Sequence, residues 1–349
     1  MRTMIRFCRA CCVLLAAGLL PTVTAARAAA AGDDPHAVVR GMTISCPGAG
    51  RIWGTDQMVD TMRELKTLGV NWITIHPYAS IRGDGTVGGG GMHGMYTDPV
   101  WITRPIREAH ALGMKIMIKP HIAYWGSPFD WRGEIRFETD GEWRRFFESY
   151  ERWITLVAEL SREADAFVVG TELDQTVHHD GAWRRIIAAV RAKTTSPLTY
   201  SAHWDSYERV GFWDELDVIG IQAYFPLVSH DELPTEQELD DAWASLMERL
   251  EGYAARHGRR IVFGELGYNL SADAAVRPWD YRQGGEHAAE VQRRCLTAAL
   301  KAVRGSEAVV GAFLWKWFPD GDWGRRNFLK STPEMRAVIA QFWMEQTSP

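Results

Sequence analysis

The feature that most constrains this chain is a regular alternation, after residue 40, of short apolar segments and longer amphipathic segments. Apolar runs of four to seven residues are typical of strands buried on both faces of a parallel sheet. Met58, Met62, Leu65 and Leu68 recur at spacings of four, three and three, which predicts a helix with one apolar face. The eight predicted strands cover residues 41–46, 70–75, 114–119, 166–170, 198–201, 218–222, 260–264 and 309–315.

Further amphipathic patterns predict helices between and after these strands, at residues 143–157, 182–193, 237–256, 286–303 and 333–344. Strand and helix repeated eight times within roughly 310 residues predict an α/β fold, the (β/α)8 or TIM barrel. No linker rich in Pro, Ser or Gly interrupts residues 31–349, so a single domain is expected there. A doubly wound open sheet is the alternative, but no GxGxxG follows the first predicted strand.

Residues 1–30 have the pattern of a secretory signal peptide. Arg2, Arg6 and Arg9 form a positive start, residues 13–20 are apolar, and the small residues of TAARAAAAG follow. Eight apolar residues are too few to span a bilayer, which takes about 20. The sequence therefore predicts a secreted protein, extracellular or periplasmic, without a membrane anchor. An ordinary disordered N-terminus is the alternative.

Composition and charge exclude several classes of protein. With 46% hydrophobic and 24% charged residues, the chain has an ordinary globular composition and not that of a disordered or collagen-like protein. Cleavage near residue 30 would leave 35 basic and 44 acidic side chains, a net charge of −9. This argues against nucleic acid and anionic membranes as partners. Cys46 and Cys295 would remain; we expect two separate thiols, with a disulfide between them as the alternative.

In a barrel of this kind, functional side chains lie where the strands end and in the loops that follow. Glu172 and Glu265 each follow an apolar run, AFVVGTEL and IVFGELGY, at the ends of the fourth and seventh predicted strands. Those strands are three apart in a ring of eight, so the two carboxyl groups should face each other across the mouth. Such a pair suits cleavage of a glycosidic bond, with one group donating a proton and the other attacking or activating water. Either glutamate could instead be a salt-bridged residue at a strand end.

Other side chains at the strand ends predict a sugar-binding site around the two glutamates. Tyr224 ends the strand next to that of Glu265, and its phenol can hydrogen-bond the carboxylate. Trp315 and Trp317 have the same parity on the last strand, so at least one should present a flat indole to a sugar ring at the mouth. The remaining candidates for substrate binding are His76, Lys119, His121, Arg132, His203 and Trp204.

The histidines also raise the possibility of a metal site. His76, His121 and His203 all lie at predicted strand ends, and imidazole and carboxylate are good zinc ligands. However, the first strand has no HxH, HExxH occurs nowhere, and the CxxC at residues 8–11 falls in the predicted signal peptide. We therefore expect no metal and no other cofactor. The glycines at 88–91 predict a mobile loop and not a phosphate cradle, because no GK[ST] follows them.

Several longer runs resemble a known family over residues 40–344. They are IKPHI, WRGEIRF, VGTEL, WRRIIAAVR, PLTYSAHWD, FWDELDVIGIQAYFPL, FGELGY and WKWFP. By these runs the chain resembles glycoside hydrolase family 113, retaining β-mannanases in a large clan of (β/α)8 glycosidases. The resemblance implies Glu172 as the general acid/base, Glu265 as the nucleophile and a retaining double displacement without metal.

Three segments depart from the family pattern: HPYASIRGDGTVGGGGMHG after the second strand, His203 in place of the usual Asn, and the late basic run GRRNFLKSTPEM. These segments should line the substrate subsites. We expect a monomeric, secreted endo-β-glycosidase that acts on a β-1,4-linked polysaccharide or its oligosaccharides, mannan or glucomannan first. The alternatives are the same chemistry on an envelope glycan or exopolysaccharide, and a carbohydrate-binding barrel without turnover.

Overall fold

The computed structural model describes residues 37–88, 96–321 and 326–344, and one compact unit begins at Val38. The predicted signal peptide and three of the four glycines at 88–91 lie outside the described residues. Within the described ranges, no helix combines the length and apolar character needed to cross a membrane. Cys46 and Cys295 are both free thiols, as expected for two separate cysteines.

Eight parallel strands close into a barrel, which confirms the (β/α)8 prediction. In chain order the strands are β1 (Val39–Ile44), β2 (Trp72–Ile75), β3 (Tyr78–Ser80), β4 (Lys115–Ile118), β5 (His121–Ala123), β6 (Ala166–Thr171), β7 (Leu198–His203), β8 (Ile219–Gln222), β9 (Ile261–Leu266) and β10 (Val309–Trp317). Going round the barrel, the order is β1, β2, β4, β6, β7, β8, β9, β10 and back to β1. β3 and β5 directly follow β2 and β4 and pair in parallel as a separate two-stranded sheet.

In the described ranges, seven α-helices lie between and after the barrel strands. They are α1 (Asp56–Lys66), α2 (Val100–Ala111), α3 (Asp140–Leu160), α4 (Asp180–Arg191), α5 (Glu236–His257), α6 (Ala288–Gly305) and α7 (Pro333–Met344). The connection from β7 to β8 carries two short 3-10 turns and no α-helix, which differs from the predicted eightfold repeat. The sequence pattern also missed α2, because Pro105 lies inside it and proline normally interrupts a helix.

The core lies in two layers. The helices bury their apolar faces against the outside of the barrel, as α3 does with Phe146, Ile154 and Val157. A separate cluster of strand residues, which includes Trp72 of β2, Val168 of β6 and other residues of β4, β9 and β10, fills the barrel interior. Because this interior is packed, the free space at the carboxyl ends of the strands forms a cavity rather than a channel.

Candidate active site

Glu265 of β9 is held by a hydrogen-bond donor on each carboxylate oxygen. The Tyr224 hydroxyl donates to Oε2 over 2.7 Å, and the Lys119 ammonium donates to Oε1 over 2.6 Å. The same ammonium donates to the Gly264 carbonyl over 2.9 Å, which ties it to the backbone of β9. Glu265 is only 4% exposed, so its carboxylate is fixed with little room for another rotamer.

Lys119 and two histidines lie behind Glu265, out of contact with solvent. Burial lowers the pKa of Lys119, and the Glu265 carboxylate opposes this shift. His121 Nε2 is 3.7 Å from Glu265 Oε1, and the His121 ring stacks on His76 with centroids 5.2 Å apart. Burial lowers the pKa of both histidines well below the usual range, and the nearby cations lower it further. Both rings are therefore neutral, and they pack beneath the cavity wall behind the carboxylate.

Glu172 follows β6 in a backbone conformation that side-chain-bearing residues rarely adopt, with φ of 49°. Its N–H donates to the Ser201 carbonyl over 2.8 Å, which anchors this turn to the neighbouring strand. Arg132 Nη1 donates to Glu172 Oε2 over 3.3 Å. Burial raises the pKa of Glu172, and the Arg132 guanidinium lowers it in part. Observed strain of this kind is frequent at functional residues.

The two glutamates open into one cavity of about 840 Å³. Burial raises the pKa of Glu172, whereas hydrogen bonds from the Tyr224 hydroxyl and the Lys119 ammonium orient the Glu265 carboxylate. Two neighbouring carboxyl groups in different environments can divide the roles of proton donor and nucleophile between them. The arrangement is therefore able to cleave an acetal bond by general acid and nucleophilic catalysis.

Aromatic rings form most of the cavity wall. The Trp204 and Trp279 rings stack with centroids 5.4 Å apart and planes 15° from parallel. Flat apolar surfaces of this kind suit the faces of sugar rings. The aromatic lining residues are Tyr78, Tyr124, Trp125, Trp131, Trp204, Tyr224, Trp279, Tyr281, Trp315 and Phe328.

Seven of the residues singled out from the sequence line this cavity: Arg132, Glu172, His203, Trp204, Tyr224, Glu265 and Trp315. His203 Nδ1 lies 2.6 Å from Asp205 Oδ1, and its ring meets Trp131 edge to face at 4.9 Å. These side chains come from the ends of five barrel strands and from the loop between β5 and α3, which carries Arg132.

Three polar residues predicted to contact substrate lie outside the cavity lining. His76, Lys119 and His121 are at most 1% exposed and sit beneath the wall. Their burial argues against direct contact with substrate, and their role in binding stays a prediction. His76 and Lys119 directly follow the last residues of β2 and β4, and His121 is the first residue of β5. Lys119 donates to Glu265 instead, and His121 lies 3.7 Å from the same carboxylate.

Trp317, also predicted to bind sugar, lies outside the cavity lining. It is 2% exposed and packs in the main hydrophobic core. The prediction assumed strict alternation along the last strand, but Met42 pairs with Leu314 while Ile44 pairs with Trp317. The extra residue on β10 is a bulge, so Trp315 and Trp317 no longer share a face.

The three candidate histidines do not form a metal site together. Within the described ranges, the one group of three possible ligands is Asp174, His203 and Asp205, whose ligand atoms lie within 4.8 Å of one another. His203 and Asp205 already use a ring nitrogen and a carboxylate oxygen for each other. Burial raises the pKa of Asp174, which makes that carboxyl group a weaker ligand at low pH.

Sequence reasoning missed the part of the lining that comes from loops and from the end of β10. Lys316 lines the cavity, as do Trp125 and Tyr281, which are 62% and 60% exposed. Position relative to a strand end does not identify loop residues. The sequence signal for these residues was the group of large aromatic side chains in the loops after β5 and β9. Clusters of solvent-exposed aromatic rings are unusual outside binding surfaces.

Comparison with known proteins gives one family and several similar structures. The family model for Glycoside Hydrolase Family 113 matches residues 42–322. The GH113 β-mannanase AaManA from Alicyclobacillus acidocaldarius, in complex with ManMIm, is 27% identical with a TM-score of 0.74, over 88% of this chain and 97% of that one. Another GH113 β-1,4-mannanase is 21% identical with a TM-score of 0.76, over 89% and 99%.

More distant structures share the fold alone. A β-glucuronidase from Ruminococcus gnavus is 13% identical with a TM-score of 0.57, over 87% of this chain and 50% of that one. No curated protein sequence matches this chain.

Proposed function

Since the chain belongs to glycoside hydrolase family 113, we propose that it is a retaining endo-β-glycosidase for a β-1,4-linked polysaccharide, with mannan or glucomannan first. The observation that carries the proposal is that Glu172 and Glu265, from opposed barrel strands, line one aromatic cavity in different environments. The 27% identity to a β-mannanase supports mannan as the first candidate.

In the first step, Glu265 attacks the anomeric carbon while Glu172 gives its proton to the glycosidic oxygen. The bond between that carbon and oxygen breaks, the leaving sugar departs with the proton, and an ester forms between Glu265 and the glycan. The raised pKa of Glu172 supports its role as the proton donor. The donors on both oxygens of Glu265 support its role as the nucleophile.

In the second step, Glu172 is a carboxylate and takes a proton from water. The water oxygen attacks the anomeric carbon, the ester bond breaks, and Glu265 is released as a carboxylate. Two inversions at one carbon give a product with the original configuration. Arg132 stabilises the charge that Glu172 carries in this step, because its guanidinium donates to that carboxyl group.

The proposal is tested by reducing-end release from β-mannan, glucomannan, cellulose, xylan and bacterial exopolysaccharides, using residues 31–349. We expect release from a mannan, its loss in Glu265→Ala, and a fall of about 10²- to 10⁴-fold in Glu172→Gln. Glu248→Gln, an exposed glutamate on α5, is the matched control and should keep full activity. Undiminished release by Glu265→Ala would contradict the proposal.

A second candidate is the same chemistry on an envelope glycan or exopolysaccharide. The observation that favours it is the half-buried Lys316, a cationic side chain in the cavity wall. Release from such a polymer alone, again lost in Glu265→Ala, would keep the mechanism and replace mannan as the substrate.

We also propose that the protein is exported and monomeric. The arginines, apolar run and small residues of segment 1–30 support export. N-terminal sequencing of protein from the periplasm or medium should give a start near residue 31, and light scattering should give the mass of one chain. Cytoplasmic protein that retains Met1 would contradict export, and a mass of two chains would contradict the monomer.

A further inference from the structure

Lys316 is a cationic residue of the cavity wall that the mechanism leaves unused. Its backbone is fixed on both sides, because its N–H donates to the Phe328 carbonyl over 2.9 Å and its carbonyl accepts from the Lys330 N–H over 3.1 Å. Its ammonium lies 4.8 Å from the centroid of the Trp315 ring and 5.3 Å from that of Phe318. The side chain is therefore held between two aromatic rings at the edge of the cavity.

The ammonium of Lys316 has no acidic partner within ion-pair distance in the part of the chain that the structure describes. The neighbouring cations do have one: Lys119 pairs with Glu265 at 2.6 Å, and Arg132 pairs with Glu172 at 3.3 Å. A half-buried cation that is neither paired nor fully hydrated is costly. Lys316 therefore lacks an anionic partner among the described residues.

Charges of both signs lie near Lys316: the Glu265 carboxylate raises its pKa without forming an ion pair, and Arg326 lowers it. Lys330 is fully buried, and its ammonium donates to the carbonyls of Tyr268 and Phe328. Burial and the charge of Lys316 lower the pKa of Lys330 to about 7. Burial lowers the pKa of Lys316 to about 8, so its ammonium is still charged at neutral pH. Because no acid of the described residues pairs with it, the Lys316 ammonium is available to a carboxylate on a ligand in the cavity.

We propose that Lys316 binds a carboxylate on the glycan, so that the enzyme accepts a uronic acid unit where the sugar contacts Trp315. The inference rests on the proposed function, because it uses the same cavity. Trp315 and Lys316 are adjacent and both line that cavity, so a sugar against the indole is the one whose carboxylate the ammonium can reach. The substrate class then includes acidic β-linked glycans in addition to neutral mannan.

Two inhibitors that differ at one position test this directly. Isofagomine carries a hydroxymethyl group where uronic isofagomine carries a carboxylate. We would measure the dissociation constants of both by calorimetry at pH 6.5, with residues 31–349 of the wild type, of Lys316→Gln and of Lys301→Gln. Lys301 is an exposed lysine on α6 that pairs with Asp240, so its substitution is the matched control.

We expect the wild type and Lys301→Gln to bind the uronic form at least about tenfold more tightly, as a charge-assisted hydrogen bond implies. In Lys316→Gln the two constants should become equal, while that of isofagomine changes less than about threefold. The wild-type preference should also disappear at pH 9.5, where Lys316 is uncharged. A preference that is absent in the wild type, or that survives in Lys316→Gln, would overturn the inference. An equal loss for both probes would overturn it too, since Lys316 would then hold a hydroxyl group.

The outcome is distinguishable from that of the hydrolysis panel. Hydrolysis of mannan without a preference for the uronic form would leave the proposed function standing and remove the inference. A preference for uronic isofagomine without hydrolysis of mannan would support the inference, and an acidic glycan would then replace mannan as the proposed substrate. If neither probe binds, the inference is overturned, and the hydrolysis panel still decides the function.

Discussion

The two glutamates of the cavity differ in what surrounds each carboxyl group. Glu265 accepts from a phenol and an ammonium, one on each oxygen. Glu172 has one longer contact, to a guanidinium, and a pKa raised by burial. The proposed roles of nucleophile and acid rest on these neighbours, and each neighbour can be removed separately.

Removal of Arg132 should move the pH profile of the reaction. Arg132 is the strongest influence that lowers the pKa of Glu172, so Arg132→Met should raise that pKa. The proton donor then keeps its proton to higher pH, and the alkaline limb of kcat against pH should shift upward. Arg136→Met, at an exposed position in the same segment, should leave the limb in place. A downward shift in Arg132→Met would show that another group sets this limb.

Removal of the Tyr224 hydroxyl should slow the chemical steps more than it weakens binding. In Tyr224→Phe, Glu265 loses the donor on Oε2. A hydrogen bond to a charged group is worth roughly 1.5–3 kcal/mol, so kcat should fall by about 10- to 100-fold with KM little changed. Tyr253→Phe, which loses a buried hydroxyl far from the cavity, should keep kcat. A rise in KM at constant kcat would assign Tyr224 to substrate binding.

At the scale of elements, hydrophobic periodicity predicted all eight barrel strands and most helices. Periodicity succeeds here because every strand is covered on both faces and every helix on one. Periodicity failed where a local feature of the backbone breaks the pattern. Pro105 lies inside α2, so the pattern there did not indicate a helix. The β7–β8 connection buries its apolar residues without forming an α-helix. The bulge in β10 places Trp315 and Trp317 on different faces of the strand.

The start of α5 is stabilised by a capping box. The Thr235 hydroxyl accepts from the Glu238 N–H, and the Glu238 carboxylate accepts from the Thr235 N–H. Thr235→Ala should lower the free energy of unfolding by about 1 kcal/mol and leave kcat unchanged. Urea unfolding followed by circular dichroism measures the first quantity. Thr155→Ala, inside α3, is a control without a cap to lose; an equal cost in both variants would show that the cap contributes nothing.

Over the whole molecule, the sequence predicted the position of the candidate catalytic centre better than the rest of the cavity. Glu172, Glu265 and Tyr224 are fixed by strands whose order follows from the barrel alone. The loop aromatics and Lys316 depend on loop conformations and on the β10 bulge, which no strand periodicity encodes. The centre is therefore predictable from fold and chemistry, whereas the substrate-recognition surface needs coordinates.

The described fold is held together without a disulfide, because Cys46 and Cys295 are both free. Thiol titration of denatured residues 31–349 should give two thiols, and reductant should leave the Tm unchanged. Burial raises the pKa of Cys295, so its thiol should react slowly in the native protein. A bond that closes so long a loop would contribute about 5 kcal/mol, so a Tm that falls by several degrees in reductant would contradict this account.

The central claim is that Glu265 forms a covalent bond to the sugar. The most direct test is to treat residues 31–349 with 2-deoxy-2-fluoro-β-D-mannosyl fluoride and to map the adduct by mass spectrometry of peptides. We predict an increase of one fluorosugar per chain, located on Glu265 and absent in Glu265→Ala. An adduct on Glu172 or elsewhere, or turnover of the reagent with inversion and no adduct, would contradict the account.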